Sequence, residues 1–173
     1  MSFLRRVNKE IQLYQKDNFS FDNLLLQPSE SLNIWYFIIH NLKDTEYEGG
    51  IYLGKVLLPP KYPFLPCDFI FLTENGRFET NKKICTSFTG FHKDLWSPSW
   101  NIASMITGLI SFMTDSQDIV ESKGLGGIIM SSSDRKRIAL NSVENIKNTE
   151  IFEKYFKDNY NFNDILFNLK KNN

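Results

Sequence analysis

The sequence is poor in cysteine and has no excess of charge of either sign. It contains two cysteines, and its 20 lysine and arginine residues balance 20 aspartate and glutamate residues. Two cysteines are too few for a disulfide framework or for a four-cysteine zinc site. A zero net charge argues against a general nucleic-acid-binding surface, which needs a basic excess. We therefore expect a reduced, intracellular protein that does not bind nucleic acid.

The sequence also lacks a long apolar run. Its longest mostly apolar stretch, Ile102 to Met113, is shorter than the about 20 residues that cross a bilayer. Met1 to Arg6 has no uninterrupted apolar stretch of the kind found in a signal peptide. However, 42% of the residues are hydrophobic and 15 are phenylalanine, which is enough for a core and excludes intrinsic disorder. These features predict one soluble domain over residues 1–173.

The residue patterns predict an α+β fold. Apolar residues at helical spacing predict a helix over 2–16. Runs rich in β-branched and aromatic residues predict strands of an antiparallel meander at Ile34–Ile39, Ile51–Leu58 and Cys67–Leu72. A long loop over 73–98 follows, and apolar periodicity then predicts a helix after Pro98. Further helices are expected after the cluster Ser131–Asp134 and, as one or two helices, over 150–170.

The long loop contains Cys85, the candidate nucleophile of the sequence. Polar residues surround Cys85, whereas an apolar strand follows Cys67, as is typical of a buried cysteine. His92 lies seven positions after Cys85 and raises the possibility of a Cys–His hydrolase. The residues after Cys85 do not begin the amphipathic helix that usually activates a hydrolase cysteine. On the residues alone, Cys85 is either a nucleophile or a structural thiol.

Several motifs resemble the core of the ubiquitin-conjugating enzymes, in one collinear order from about residue 4 to residue 157. They are Tyr47–Lys55, Pro59–Pro66, Asn75, Cys85 and Trp96–Pro98. The stretch Thr73–Cys85 is similar to the J-type branch, which has Thr-Pro-Asn-Gly-Arg-Phe where most relatives have His-Pro-Asn. As in that branch, Cys85 follows Asn75 by ten positions.

Two residues depart from the pattern of the J-type branch. Glu74 stands where the branch has proline, so the turn at Asn75 loses one restriction on φ. Cys67 stands where the family has the second proline of a pair. Neither change removes a group that the reaction of the family needs.

The resemblance implies the ubiquitin-conjugating-core fold. That fold has an N-terminal helix, a four-stranded antiparallel meander, a long active-site loop and C-terminal helices. The core would cover about 4–157, with a C-terminal helical extension over 158–173.

The resemblance also implies two acyl transfers through Cys85, without a cofactor. Asn75 would donate its side-chain NH₂ to the oxyanion of each transfer, although it could instead serve only as a turn residue. His92 would either deprotonate an incoming amine or hydroxyl, or shape the loop by bonding to backbone. The acidic residues that could face the acceptor are Asp115, Asp118 and Glu121, which the sequence does not rank.

The implied partners are ubiquitin as a covalent thioester, a ubiquitin-activating enzyme and a RING-type ubiquitin ligase. Arg5, Arg6 and Lys9 match basic positions of the first helix that contact the activating enzyme, although a solvated helix face would also explain them. Phe64 and Pro98 match the two loop tips that touch RING-type ligases. An exposed phenylalanine among prolines is otherwise hard to explain in a monomer.

The J-type branch works in endoplasmic-reticulum-associated protein degradation, held at the cytosolic face of the membrane by a C-terminal helix. This sequence contains no such anchor. We expect either that the anchor was removed or that the protein is a cytoplasmic member of the branch. The alternative functions are a catalytically weak ubiquitin-binding module of the same fold and a carrier of a ubiquitin-like modifier.

Overall fold

The computed structural model describes residues 2–16, 22–84, 96–115 and 126–171. Helix α1 (Phe3–Lys16) precedes one antiparallel sheet whose strand order is β1-β2-β3-β4. The strands are β1 (Leu24–Pro28), β2 (Ile34–Ile39), β3 (Tyr52–Leu57) and β4 (Asp68–Phe71). The helices that follow are α2 (Ile102–Thr114), α3 (Ser132–Lys147), α4 (Glu150–Tyr155) and α5 (Tyr160–Lys171). The predicted α+β fold with a four-stranded meander is confirmed.

Strand β1 is the element that the residue patterns do not locate. Its sequence begins with three leucines and ends in proline, so it lacks the β-branched and aromatic residues that mark strands. It forms by pairing with β2, from Leu24 opposite Ile39 to Pro28 opposite Trp35. The partner strand, and not local preference, therefore decides its conformation.

The sheet is buried on both faces, which explains the continuous apolar sequence of β2. Trp35, Phe37 and Ile39 pack in a cluster with residues of α1 and α2. Tyr36 and Ile38 pack on the other face with residues of α3, α4 and α5. On β3, Gly54 lies opposite Phe37. A Cβ atom at Gly54 would lie 2.1 Å from the Phe37 ring, so glycine leaves room for that ring.

Side-chain caps set the starts of the helices that flank the candidate site. Asn101 caps α2, since its side chain accepts from the Ser104 N–H at 2.8 Å and Ser104 bonds back. Ser131 caps α3 by accepting from the Asp134 N–H at 3.1 Å, as the serine cluster predicts. Among the helices within the described ranges, none is long and apolar enough to cross a membrane.

Candidate active site

Four hydrogen bonds hold the Asn75 side chain in a turn that follows β4. Its Oδ1 accepts from the backbone N–H groups of Arg77 at 2.9 Å and Phe78 at 2.8 Å. Its Nδ2 donates to the carbonyls of Thr73 and Phe78, both at 3.3 Å. The side chain is 1% exposed. Asn75 is therefore a turn residue with a fixed amide orientation, since backbone N–H groups must face its oxygen.

The two halves of this amide are held with different strength. The bonds to Oδ1 have ordinary lengths, whereas 3.3 Å lies beyond the usual range for N–H···O bonds. The Nδ2 hydrogens are thus the weakly held part of the side chain.

Gly76 completes the turn and brings α3 against it. Its φ of +74° lies in the left-handed region that favours glycine. A Cβ atom there would lie 2.7 Å from Cγ of Arg135. The Arg135 Nε donates to the Gly76 carbonyl at 3.0 Å. The turn is therefore packed from one side by a side chain of α3.

Backbone bonds to β4 hold the chain up to the residue before Cys85. Asn81 donates its N–H to the Phe71 carbonyl at 2.8 Å, and Ile84 donates to the Phe69 carbonyl at 3.0 Å. Ile84 is 1% exposed. Cys85 and His92 themselves lie outside the described residues, so their predicted roles stay predictions.

Cys67 has the environment of a structural thiol. It is fully buried, and its Sγ lies 3.7 Å from the Met105 Sδ. Burial raises the pKa of the Cys67 thiol far above its usual range. A neutral thiol without access to solvent cannot act as a nucleophile. The structure thus gives Cys67 a packing role, and the assignment of Cys85 as nucleophile stays a prediction.

The expectation that Arg6 faces solvent with Arg5 and Lys9 is wrong. Arg5 and Lys9 are exposed, but the Arg6 guanidinium donates to the carbonyls of Pro98 at 2.8 Å and Trp100 at 2.5 Å. The Arg6 guanidinium turns away from solvent because the carbonyls of Pro98 and Trp100 accept its hydrogen bonds. Its first role in the structure is to tie α1 to that loop.

Glu10 completes this connection from within the core. Its carboxylate is 5% exposed and accepts from Arg6 Nε at 2.5 Å and Tyr62 Oη at 2.6 Å. It also accepts from the Ile102 N–H at 2.8 Å, at the N-terminus of α2. A negative charge is favourable at that end of a helix. Burial and the Glu10 charge raise the pKa of Tyr62, so its hydroxyl remains a donor.

Phe64 and Pro98 lie on two loops that contact each other. The Phe64 side chain is 60% exposed, and Pro98 is also exposed. The Trp96 indole N–H donates to the Pro63 carbonyl at 2.8 Å and so joins the loops. Phe64 and its neighbour Leu65, which is 38% exposed, thus place apolar surface on this loop.

Of the three acidic candidates, the described ranges contain only Asp115. It is exposed and ends α2, its N–H donating to the Ser111 carbonyl at 3.0 Å. Asp118 and Glu121 lie outside the described residues. The described ranges also contain no group of three or more metal-binding side chains placed to hold an ion.

Comparison with family models identifies the chain. The model described as "Ubiquitin-conjugating enzyme" matches residues 6–123, a range that includes most of α1, the sheet, the Asn75 turn, Cys85 and α2. The chain belongs to the ubiquitin-conjugating enzyme family. This confirms the family that the motifs predict, and the described part of the structure has the helix and meander expected of it.

Individual relatives agree with this assignment. The chain is 40% identical over 141 residues to "Ubiquitin-conjugating enzyme E2 32" of Arabidopsis thaliana, covering 82% of this chain and 44% of that protein. It is 36% identical over 156 residues to "Ubiquitin-conjugating enzyme E2 J2-like" of Dictyostelium discoideum, covering 88% and 86%. The chain thus spans less than half of the Arabidopsis relative. The second name agrees with the resemblance to the J-type branch.

A solved structure supports the fold of this family member. The crystal structure of a ubiquitin-conjugating enzyme E2 from Plasmodium falciparum superposes with a TM-score of 0.57 at 26% identity. The match covers 66% of this chain and 86% of that one.

Besides Arg77, which lies within the Thr73–Cys85 motif, two buried charged residues of the site are absent from the sequence-based predictions. Glu10 shares the apolar stripe of α1 with Phe3 and Val7, and Arg135 shares that of α3 with Ile138. A charge on an apolar stripe is a signal that could have singled them out. Their partners, however, come from distant segments that periodicity does not show.

Proposed function

We propose that this chain carries ubiquitin as a thioester on Cys85 and transfers it to an amine of a substrate or to a ligase cysteine. The observation that carries the proposal is the fixed Asn75 amide, in a member of this family, in the turn that leads to Cys85. Residues 4–157 would form the conjugating core, and 158–173 the helical extension.

The proposed reaction consists of two acyl transfers. In loading, the Cys85 thiolate attacks the thioester carbonyl on the activating enzyme, and the thiolate of that enzyme leaves. In discharge, an amine attacks the Cys85 thioester, the amine loses a proton, and the Cys85 thiolate leaves. A thiolate suits both steps because it is a good nucleophile and a good leaving group.

Asn75 would stabilise the tetrahedral oxyanion of discharge. An Nδ2 hydrogen of the held amide would be shared with the negative oxygen as a second acceptor, beside its 3.3 Å bond to a backbone carbonyl, and such charge-assisted bonds are about twice as strong as neutral ones. The two bonds to Oδ1 keep the amide aligned. Because the donor is placed before the charge develops, it favours the transition state over the ground state.

His92 and an acidic side chain would assist the attacking group. An imidazole with a pKa near its ordinary value of about 6.5 can accept a proton from an amine or a hydroxyl. Asp115, Asp118 and Glu121 are the candidates for the carboxylate that faces the acceptor. The acceptor would be a lysine amine or a hydroxyl.

The partner surface would consist of α1 and the two joined loops. Arg5 and Lys9 are the exposed cations for the activating enzyme, while Phe64 and Pro98 would contact a RING-type ligase. Arg6 contributes to this surface by holding α1 against the loop at 98–100, as its bonds to two carbonyls there support.

The resemblance to the J-type branch supports a role in endoplasmic-reticulum-associated degradation. If the full-length protein has a C-terminal anchor, it would act at the cytosolic face of the endoplasmic reticulum, and otherwise in the cytoplasm. The modifier we propose is ubiquitin, with ubiquitin-like modifiers as the comparison in the assay below.

The test is a loading assay with activating enzyme, ATP and ubiquitin, read on a non-reducing gel. We expect a band one ubiquitin heavier that disappears with thiol reductant. Cys85→Ala should abolish this band, whereas the matched variant Cys67→Ala should retain it, because the Cys67 thiol is buried. Cys85→Ser should form an ester that resists reductant.

The outcomes separate the proposal from its alternatives. If wild-type protein forms no such band with any modifier, the chain is a binding module. If a band forms only with a ubiquitin-like modifier, the chain carries that modifier instead of ubiquitin. Loss of loading in a folded Cys67→Ala variant would refute the assignment of the nucleophile.

A further inference from the structure

We infer that Arg135 is a positioning residue for Asn75, an inference that rests on the proposed function. The Arg135 Nε donates to the carbonyl of Gly76 at 3.0 Å. The N–H of the same peptide unit belongs to Arg77 and donates to Asn75 Oδ1 at 2.9 Å. Because a peptide unit is planar and rigid, fixing its carbonyl also fixes its N–H. Arg135 thus acts on the Asn75 amide through a single rigid group.

The guanidinium that holds this carbonyl is itself anchored. Its Nη1 lies 2.5 Å from Glu46 Oε2, and Arg135 is 2% exposed. The hydrogen bond from Arg135, with a second from Ser132, lowers the pKa of Glu46 and keeps it charged. Arg135 therefore connects three segments: the Asn75 turn, the first turn of α3 and the turn that contains Glu46.

The Asn75 turn has a specific need for such a contact. Glu74 precedes Asn75, so no proline ring fixes φ of the backbone at that position. Gly76, which follows Asn75, adds further backbone freedom. The stem of Arg135 packs on Gly76 so closely that a Cβ there would lie 2.7 Å from its Cγ. Arg135 therefore restricts the backbone of the Asn75 turn, whose own sequence allows several conformations.

Stability alone does not account for a buried arginine at this position. Within the described ranges, its Nη2 is buried without a hydrogen-bond partner. Burying a charge is unfavourable unless it is well paired, and the Glu46 side chain that pairs with Arg135 is 35% exposed. A positioning role explains why α3 presents a guanidinium here, on the same stripe as the apolar Ile138 and Ala139.

The test compares Arg135→Met with Arg137→Met, an exposed arginine on the same helix whose guanidinium pairs with Asp134. Each variant is loaded with ubiquitin, and its discharge onto free lysine is measured over a range of lysine concentrations. We expect Arg135→Met to load normally and its limiting discharge rate to fall about tenfold, since small misplacements of a catalytic group have effects of this size or larger. The half-saturating lysine concentration should not change, and Arg137→Met should match wild type.

A double-mutant cycle distinguishes positioning from a general structural role. If Arg135 acts through Asn75, Arg135→Met should have no further effect in an Asn75→Ala background. An equal slowing in both backgrounds would overturn the inference, as would a wild-type discharge rate in folded Arg135→Met.

A second variant decides the case if Arg135→Met does not fold. Arg135→Lys keeps the positive charge beside Glu46 but has no Nε–H for the Gly76 carbonyl, so it should also slow discharge, and this effect should also disappear in the Asn75→Ala background. A wild-type discharge rate for folded Arg135→Lys would then overturn the inference. Failure of the proposed function looks different, because wild-type protein would form no thioester at all.

Discussion

Replacing Glu10 by glutamine removes one charge from the connection between α1, α2 and the Tyr62 loop while keeping the shape of the side chain. In the structure, Oε1 accepts from Arg6 and Tyr62, and Oε2 accepts from the Ile102 N–H. Glutamine has one acceptor oxygen and an NH₂ group that only donates. Whichever way the amide turns, at least one buried donor faces another donor.

The contacts set the size of the effect. A buried donor without an acceptor costs about 1–3 kcal/mol, and loss of one partner of a buried ion pair costs about 3–5 kcal/mol. Arg6 is 13% exposed and keeps its bonds to two backbone carbonyls. The loss of its ion pair should therefore cost free energy at the lower end of that range. We expect Glu10→Gln to reduce the free energy of unfolding by about 3 kcal/mol. For a chain of this length the melting temperature should fall by about 6–12 °C.

Urea unfolding followed by tryptophan fluorescence measures this change, with an unaltered m-value as the check that unfolding stays two-state. The matched control is Glu153→Gln, which also removes a carboxylate paired four residues away but at a site 61% exposed. It should change the free energy of unfolding by less than about 0.5 kcal/mol. If Glu10→Gln were as mild as this control, the Glu10 contacts would not stabilise the fold as we argue.

Two further predictions concern the candidate site and the pH dependence of stability. Asn75→Ala should leave loading largely intact but slow discharge onto free lysine about a hundredfold, because one oxyanion donor is lost. Equal loss in the two gel-based assays would indicate a structural role. Burial lowers the pKa of His40 to about 4, against the opposing charge of Asp22. Since the unfolded chain takes up a proton near pH 6.5 and the native state does not, His40 should reduce stability by up to about 3 kcal/mol as the pH falls from 6.5 to 4. Urea titrations of His40→Gln should show a smaller decrease over this range, and an unchanged decrease would contradict the burial argument.

Local patterns predicted those strands and helices whose residues have an intrinsic preference for the conformation that they adopt. The runs that became β2, β3 and β4 are rich in β-branched and aromatic residues, and the serine cap before α3 has its predicted bond. Strand β1 was not located because leucine is a weak strand signal. Its ladder with β2 supplies what its own sequence does not indicate.

The same limit explains the error at Arg6. Helical periodicity places Arg6 off the apolar stripe of α1, which predicts a solvated side chain. The loop carbonyls of Pro98 and Trp100 lie 92 and 94 positions away in sequence, and they draw the guanidinium inward. Periodicity describes neighbours three or four residues apart, so it contains no information about such a contact.

The candidate reactive groups of this family member can be named from its residues, because the side-chain types that the proposed chemistry needs are visible in the sequence. The motif order and the Asn75-to-Cys85 spacing therefore indicated the family without coordinates. The folded chain alone decides how the Asn75 amide is held. The guanidinium that reaches the Gly76 carbonyl comes from 59 positions further along the chain. Contacts over such separations arise when the sheet, α2 and α3 pack together, and no local pattern specifies them.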